Sequence, residues 1–138
     1  DGKYMLMWYT GRPYAHRAVK PGPLRSAIGL LRAPRDRFAG LRAGPDGGVL
    51  TTTPIEVRGP NLLLNIGAAT GPISVALLDE QNLIPGFTHD EWDQRIESGV
   101  DVPVSWNGKG LETFVGRRLR LNFRITYATL FAYRFATS

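Results

Sequence analysis

Residues 118–125 alternate strictly: Leu119, Leu121, Phe123 and Ile125 are apolar, and Arg118, Arg120, Asn122 and Arg124 between them are polar. Successive side chains of a strand point to opposite faces, so this stretch predicts a β-strand with one buried and one wet face. The same period of two returns in Leu62, Leu64 and Ile66, in Ile73, Val75 and Leu77, in Val100, Val102, Val104 and Trp106, and in Phe131, Tyr133 and Phe135. Half-wet strands of this kind belong to antiparallel sheets that pack on a second layer. Residues 3–10 differ. Tyr4, Leu6 and Trp8 share one face and Met5, Met7 and Tyr9 the other, so both faces are apolar and both need cover. Residues 26–32 add a second apolar strand.

Turn chemistry separates these runs. Gly44-Pro45-Asp46-Gly47-Gly48 predicts a hairpin between residues 38–43 and 49–53, and Gly59-Pro60, residues 68–72, Asp79-Glu80-Gln81-Asn82 and Asn107-Gly108-Lys109-Gly110 mark further turns. Pro103 inside the run 100–106 belongs at an edge or a bulge. Thr88 with Glu91 three residues on has the spacing of a capping box, which predicts one or two helical turns there, with Asp90 and Asp93 suited to the positive end. The charged run Arg35-Asp36-Arg37 after Pro34 marks a boundary. The pattern yields about eight strands after it and two before. The expected class is all-β: an antiparallel, jelly-roll-like β-sandwich of two sheets over residues 35–138, preceded by residues 1–34 as an N-terminal extension or the end of another domain.

Composition adds limits. A chain of 138 residues holds one main core, and Gly 16 and Pro 10, spread along it, suit short strands joined by turns. With no cysteine, disulfides, thiolate metal sites and a cysteine nucleophile are excluded. No apolar run approaches the ~20 residues of a helical membrane span, so no membrane partner is expected. The net charge of +5 is concentrated: residues 1–42 carry nine Lys/Arg against Asp1 and Asp36, a net +7, whereas residues 43–138 carry −2. A basic excess raises nucleic acid as a partner. The arginine stripe argues against it, because binding by a sheet face needs aromatics beside the arginines, and Phe123 points the other way. A solvated outer face, with the arginines paired to carboxylates on neighbouring strands, is the expectation.

Candidate chemistry is sparse. Asp90, Glu91, Asp93, Glu97 and Asp101 crowd into twelve positions. A glycosidase pair would need carboxyls about 5 Å or about 6.5–9.5 Å apart, and calcium would need several converging oxygens. Capping already accounts for Asp90, Glu91 and Asp93, so no catalytic residue, metal ligand or cofactor is assigned. His16 and His89 stand too far apart in sequence to start a metal cluster, and His89 is expected to be exposed at the head of the helix. The ligand-contact candidates are Tyr14, His16 and Arg17, an aromatic and basic set in the long loop over residues 11–24, and Trp92, whose ring would stack on a sugar. For Trp92 the competing reading is packing, and Trp8 and Trp106 read as core.

A resemblance spans residues 36–136. Asp36-Arg37-Phe38-Ala39-Gly40-Leu41-Arg42-Ala43-Gly44, Gly48-Val49-Leu50-Thr51-Thr52, Leu62-Leu63-Leu64-Asn65, Ile73-Ser74-Val75-Ala76-Leu77-Leu78-Asp79, Ile84-Pro85-Gly86-Phe87, Val104-Ser105-Trp106, Arg117-Arg118-Leu119-Arg120-Leu121 and Leu130-Phe131-Ala132-Tyr133-Arg134-Phe135 follow in that order. The series resembles the C-terminal β-sandwich of five-bladed β-propeller proteins related to glycoside hydrolase families 32 and 43. Residues 4–11 and 27–32 look like the closing strands of such a propeller. The resemblance implies an accessory sandwich that stabilises a catalytic domain outside this chain, with carbohydrate as ligand. It also implies that the rest of a propeller, or a second chain, covers residues 1–33. The alternative is a free-standing carbohydrate-binding or structural sandwich without catalysis.

Overall fold

The structure, a computed structural model, describes residues 2–12, 26–67, 70–93 and 98–137. The protein is all-β with antiparallel sheets, and the chain divides into two compact units, Asp1–Arg35 and Asp36–Ser138. No α-helix occurs among the described residues, and no helix is long and apolar enough to cross a membrane.

The first unit is a hairpin of β1 (Tyr4–Gly11) and β2 (Ala27–Pro34), in which Trp8 stands opposite Leu30 and Leu6 opposite Arg32. Arg32 lays its guanidinium 3.5 Å over the Tyr4 ring, a cation–π contact. Arg35 ties the base of the hairpin, its backbone N–H donating to the Lys3 carbonyl at 2.9 Å. Two strands alone give a side chain one neighbouring strand and no facing layer. The apolar residues expected to be covered are open: Trp8 is 70% exposed and Ile28 74% on one face, Tyr9 58% on the other.

The second unit contains two sheets. One joins β4 (Gly48–Thr51), β10 (Arg118–Ile125), β7 (Ile73–Asp79) and β8 (Asn82–Leu83) in that order, with β5 (Ile55–Glu56) pairing the other end of β10. The other joins β3 (Leu41–Arg42), β11 (Thr129–Ala136), β6 (Asn61–Gly67) and β9 (Gly99–Val104). Four pairs of consecutive strands are divided between the sheets: β3 and β4, β6 and β7, β8 and β9, and β10 and β11 each put one member in each sheet, and the pairs follow the same order across both.

One buried cluster draws on both sheets, and its members are the alternating positions legible in the sequence. Leu119, Leu121, Phe123 and Ile125 of β10 and Val75 and Leu77 of β7 meet Leu62, Leu64 and Ile66 of β6 and Val102 and Val104 of β9. Trp106 is fully buried and donates Nε1–H to the Val75 carbonyl at 2.9 Å, so its one polar atom is satisfied. Phe87 packs edge-on against Trp106 and Phe114, with centroids 5.4 and 4.9 Å away.

Three local expectations are corrected. The Gly44–Gly48 turn exists, with Gly47 at φ 73° and its N–H bonded to the Gly44 carbonyl at 3.2 Å, but it is not a hairpin: β3 pairs with β11 and β4 with β10, so it is a corner between sheets. Turn residues dictate that the chain reverses, not which strands then pair. Thr88 and Glu91 make the expected contact, the Thr88 N–H donating to the Glu91 carboxylate at 3.0 Å, yet residues 88–93 form no helix. Trp92 is instead held in an extended bridge to Trp106, because the core takes its ring. Two of the three β10 arginines, expected to meet carboxylates, hold backbone: Arg120 donates to the Thr52 carbonyl at 2.9 Å and Arg118 to that of Pro54 at 3.1 Å. Pro54 breaks the ladder between β4 and β5, and these guanidiniums satisfy carbonyls that the break leaves free.

Candidate functional site

The outward face of the β10 sheet carries a line of hydrogen bonds that crosses three strands. On β4, Thr51 stands opposite Asn122 of β10, and the Asn122 Nδ2 donates to the Thr51 Oγ1 at 2.7 Å. The amide oxygen of Asn122 is thereby turned to His89, whose Nε2 lies 2.7 Å away. An amide oxygen only accepts, so His89 carries its proton on Nε2 and presents a lone pair at Nδ1. That lone pair faces the hydroxyl of Ser74 on β7, 2.8 Å away. The sequence of contacts is therefore Thr51, Asn122, His89, Ser74, with the serine O–H donating to the imidazole.

His89 was expected to be exposed, and it is buried, with 7% of its surface open. No helix head forms at residue 88 to hold it out in solvent. Its two partners stand 15 and 33 residues away in sequence, which local spacing does not report. Burial pushes the His89 pKa below the ordinary imidazole value; Arg124 acts in the same direction, and the Asn122 bond and Asp90 oppose it. The imidazole is thus held neutral, with a free lone pair, near neutral pH. Arg124 stands directly opposite Ser74 on the paired strand and is exposed. Chemically, the group combines a hydroxyl, a neutral base, a residue that fixes the tautomer of that base, and an arginine at the strand position opposite the serine.

A second concave region lies between the sheets. Ile55, Glu56, Arg58 and Arg118 on the β5–β10 side and Tyr133 and Phe135 of β11 line a groove of about 520 Å³. Beyond Tyr133 it meets a more apolar groove of about 450 Å³ that includes Leu41, Leu50 and Phe131. Tyr133 and Phe135 offer ring surface, and Glu56 with the two arginines offers acceptors and donors at its rim. That combination suits a ring compound with an apolar face and a polar perimeter.

Tyr14, His16 and Arg17 lie outside the described residues. Trp92 is 6% exposed and belongs to the core cluster, so almost no ring face remains for a sugar to stack on. Glu91, Asp93 and Asp101 of the acidic stretch are each taken up by contacts within the protein. Hydrogen bonds from the Thr88 backbone and then its side chain lower the Glu91 pKa. The Asp93 Oδ2 accepts from the Ser105 hydroxyl at 2.6 Å and the Gly108 N–H at 2.8 Å, and Asp101 pairs with Arg134 at 2.8 Å. Among the described residues no group of three or more metal-ligating side chains comes together.

Sequence reasoning missed Ser74, Asn122 and Tyr133. The available signal for the first two was that both are small polar residues at positions of β7 and β10 that face away from the buried cluster. Tyr133 reads from its pattern as core, and only the position of β11 beside the open edge of β5 reveals that it also lines a groove. No family model, curated protein or solved structure matches this chain.

Proposed function

We propose that this chain is the C-terminal portion of a carbohydrate-active protein. Residues 36–138 act as an accessory β-sandwich, and hairpin β1–β2 completes a sheet of the preceding, propeller-type domain, where hydrolysis takes place. The strand order supports the sandwich reading: pairs of consecutive strands divided between two sheets in matching order are the arrangement of an eight-stranded jelly roll. The observation that carries the functional reading is the hairpin itself. Its large apolar residues are open on both faces, as expected of strands that lie between covering layers in the whole protein.

The test uses the longer gene product. Translation of the reading frame ahead of the Asp1 codon is expected to reveal blade-like repeats with spaced carboxylates. In that product, Trp8→Glu with Ile28→Glu should lower the melting temperature of the preceding domain. An unrelated upstream region, or a preceding domain whose melting is indifferent to the pair, sinks the proposal.

The groove at Tyr133 favours a second reading, a free-standing carbohydrate-binding sandwich. Calorimetric titration of the chain with neutral and acidic oligosaccharides decides for it if heat of binding appears and Tyr133→Ala removes it.

A further inference from the structure

The line of contacts on the outer sheet face has a direction that a purely structural network does not need. Asn122 accepts a hydrogen bond from the His89 Nε2–H and donates one from Nδ2 to the Thr51 Oγ1, which leaves the Nδ1 lone pair aimed at one target, the hydroxyl of Ser74. A nucleophile 2.8 Å from a base, with the base oriented by a third group on its far side, is the geometry that activates a serine. The residues come from two strands of one sheet and from the segment after Phe87, so their order in sequence carries no motif.

We propose that Ser74, His89 and Asn122 form an acyl-transfer site for short acyl esters, with Ser74 as the nucleophile. The Ser74 Oγ forms a bond to the ester carbonyl carbon while its proton passes to the His89 Nδ1. The carbonyl electron pair returns from the oxyanion as the ester C–O bond breaks, and the departing alcohol takes the proton from His89. Water then repeats the sequence on the acyl-serine, releasing the carboxylic acid and restoring Ser74. Arg124, at the strand position opposite Ser74, is the cation that would stabilise the oxyanion. Asn122 is a positioning residue: it holds the Nε2–H tautomer and touches no substrate. Ser74 is half-buried on a sheet face, so the acyl group that reaches it is small and projects from its carrier, as an acetyl ester does. The groups that face His89 and set its titration are Ser74 on β7, Asn122 and Arg124 on β10, and the adjacent Asp90. This proposal is independent of the accessory-domain reading.

The test is to treat residues 1–138 with a fluorophosphonate probe and map the adduct by peptide mass, and to follow 4-nitrophenyl acetate hydrolysis on the same sample. The expected adduct is on Ser74. It should vanish in Ser74→Ala and form at least about a hundredfold more slowly in His89→Gln, the low end of what loss of a general base produces. In the wild type the labelling rate should be flat at neutral pH and fall about tenfold per pH unit once His89 is protonated. Asn122→Asp should move that midpoint upward, because a carboxylate stabilises the imidazolium, a response that a merely packed asparagine would not give. A folded wild type with no adduct, an adduct on another residue, or Ser74 labelling indifferent to pH overturns the proposal. If His89→Gln fails to fold, the wild-type pH profile decides alone.

Discussion

Strands β1 and β10 are both eight residues long and both rich in large apolar side chains, yet they end in opposite environments. On β10 the apolar residues occupy one face, flanked by β4, β5 and β7 and roofed by the second sheet, and Leu121 and Phe123 are fully buried. On β1 they occupy both faces, with one neighbouring strand and no roof within the hairpin. Burying four such side chains contributes on the order of 8 kcal/mol before the entropy of ordering the strand is set against it. The hairpin obtains little of this, since an isolated pair of strands is marginal in water. Alternation therefore specifies a strand in both places, but only a second layer turns it into stability.

Substitutions should widen that contrast. Trp106→Ala removes a fully buried ring and its bond to Val75, and should cost about 4 kcal/mol in urea unfolding of the chain. Gly108→Ala places a side chain at φ 74° in the Asn107–Gly108 turn that carries the chain from Trp106 back to Lys109, and should cost about 1 kcal/mol by the same measurement. Acid should weaken the second unit through His89. Its folded pKa is depressed, so the unfolded chain takes up a proton first; the contribution is complete above the unfolded value of 6.5 and is lost as pH falls through the lower folded value. Denaturant midpoints should fall as pH drops below 6.5, and fall further in Asn122→Ala, which lacks the bond that raises the His89 pKa. Trp8→Ala should be the smallest change, within about 0.5 kcal/mol, because the ring is 70% exposed. A Trp8 loss as large as that of Trp106 would erase the distinction between the two regions.

The legible part of the fold was what period two and turn chemistry determine. The buried positions of β6, β7, β9 and β10 stand where the alternation put them, and Asp79–Asn82 and Asn107–Gly108 turn as their residues require. What stayed hidden depends on partners distant along the chain. The Gly44–Gly48 turn gives no hint that its flanking strands join β11 and β10. A capping box gives no hint that Trp92 is needed by the core, which overrides the local preference for helix. His89 is a polar residue in a polar run, and its buried position is matched by hydrogen bonds to Ser74 and Asn122, far from it in sequence. The candidate site was thus nearly invisible, since each member is ordinary alone.

The matching order of strand pairs has a consequence for how this chain is made. Strands β3 and β4, the first of the second unit, find their sheet neighbours in β11 and β10, the last. A ribosome therefore releases the opening strands long before their neighbours exist, and the sheets close only once β10 and β11 have been made. Such non-local closure belongs to the slow end of folding, about milliseconds to seconds. The last strand of the unit, Thr129–Ala136, lies between β3 and β6 and acts as its keystone.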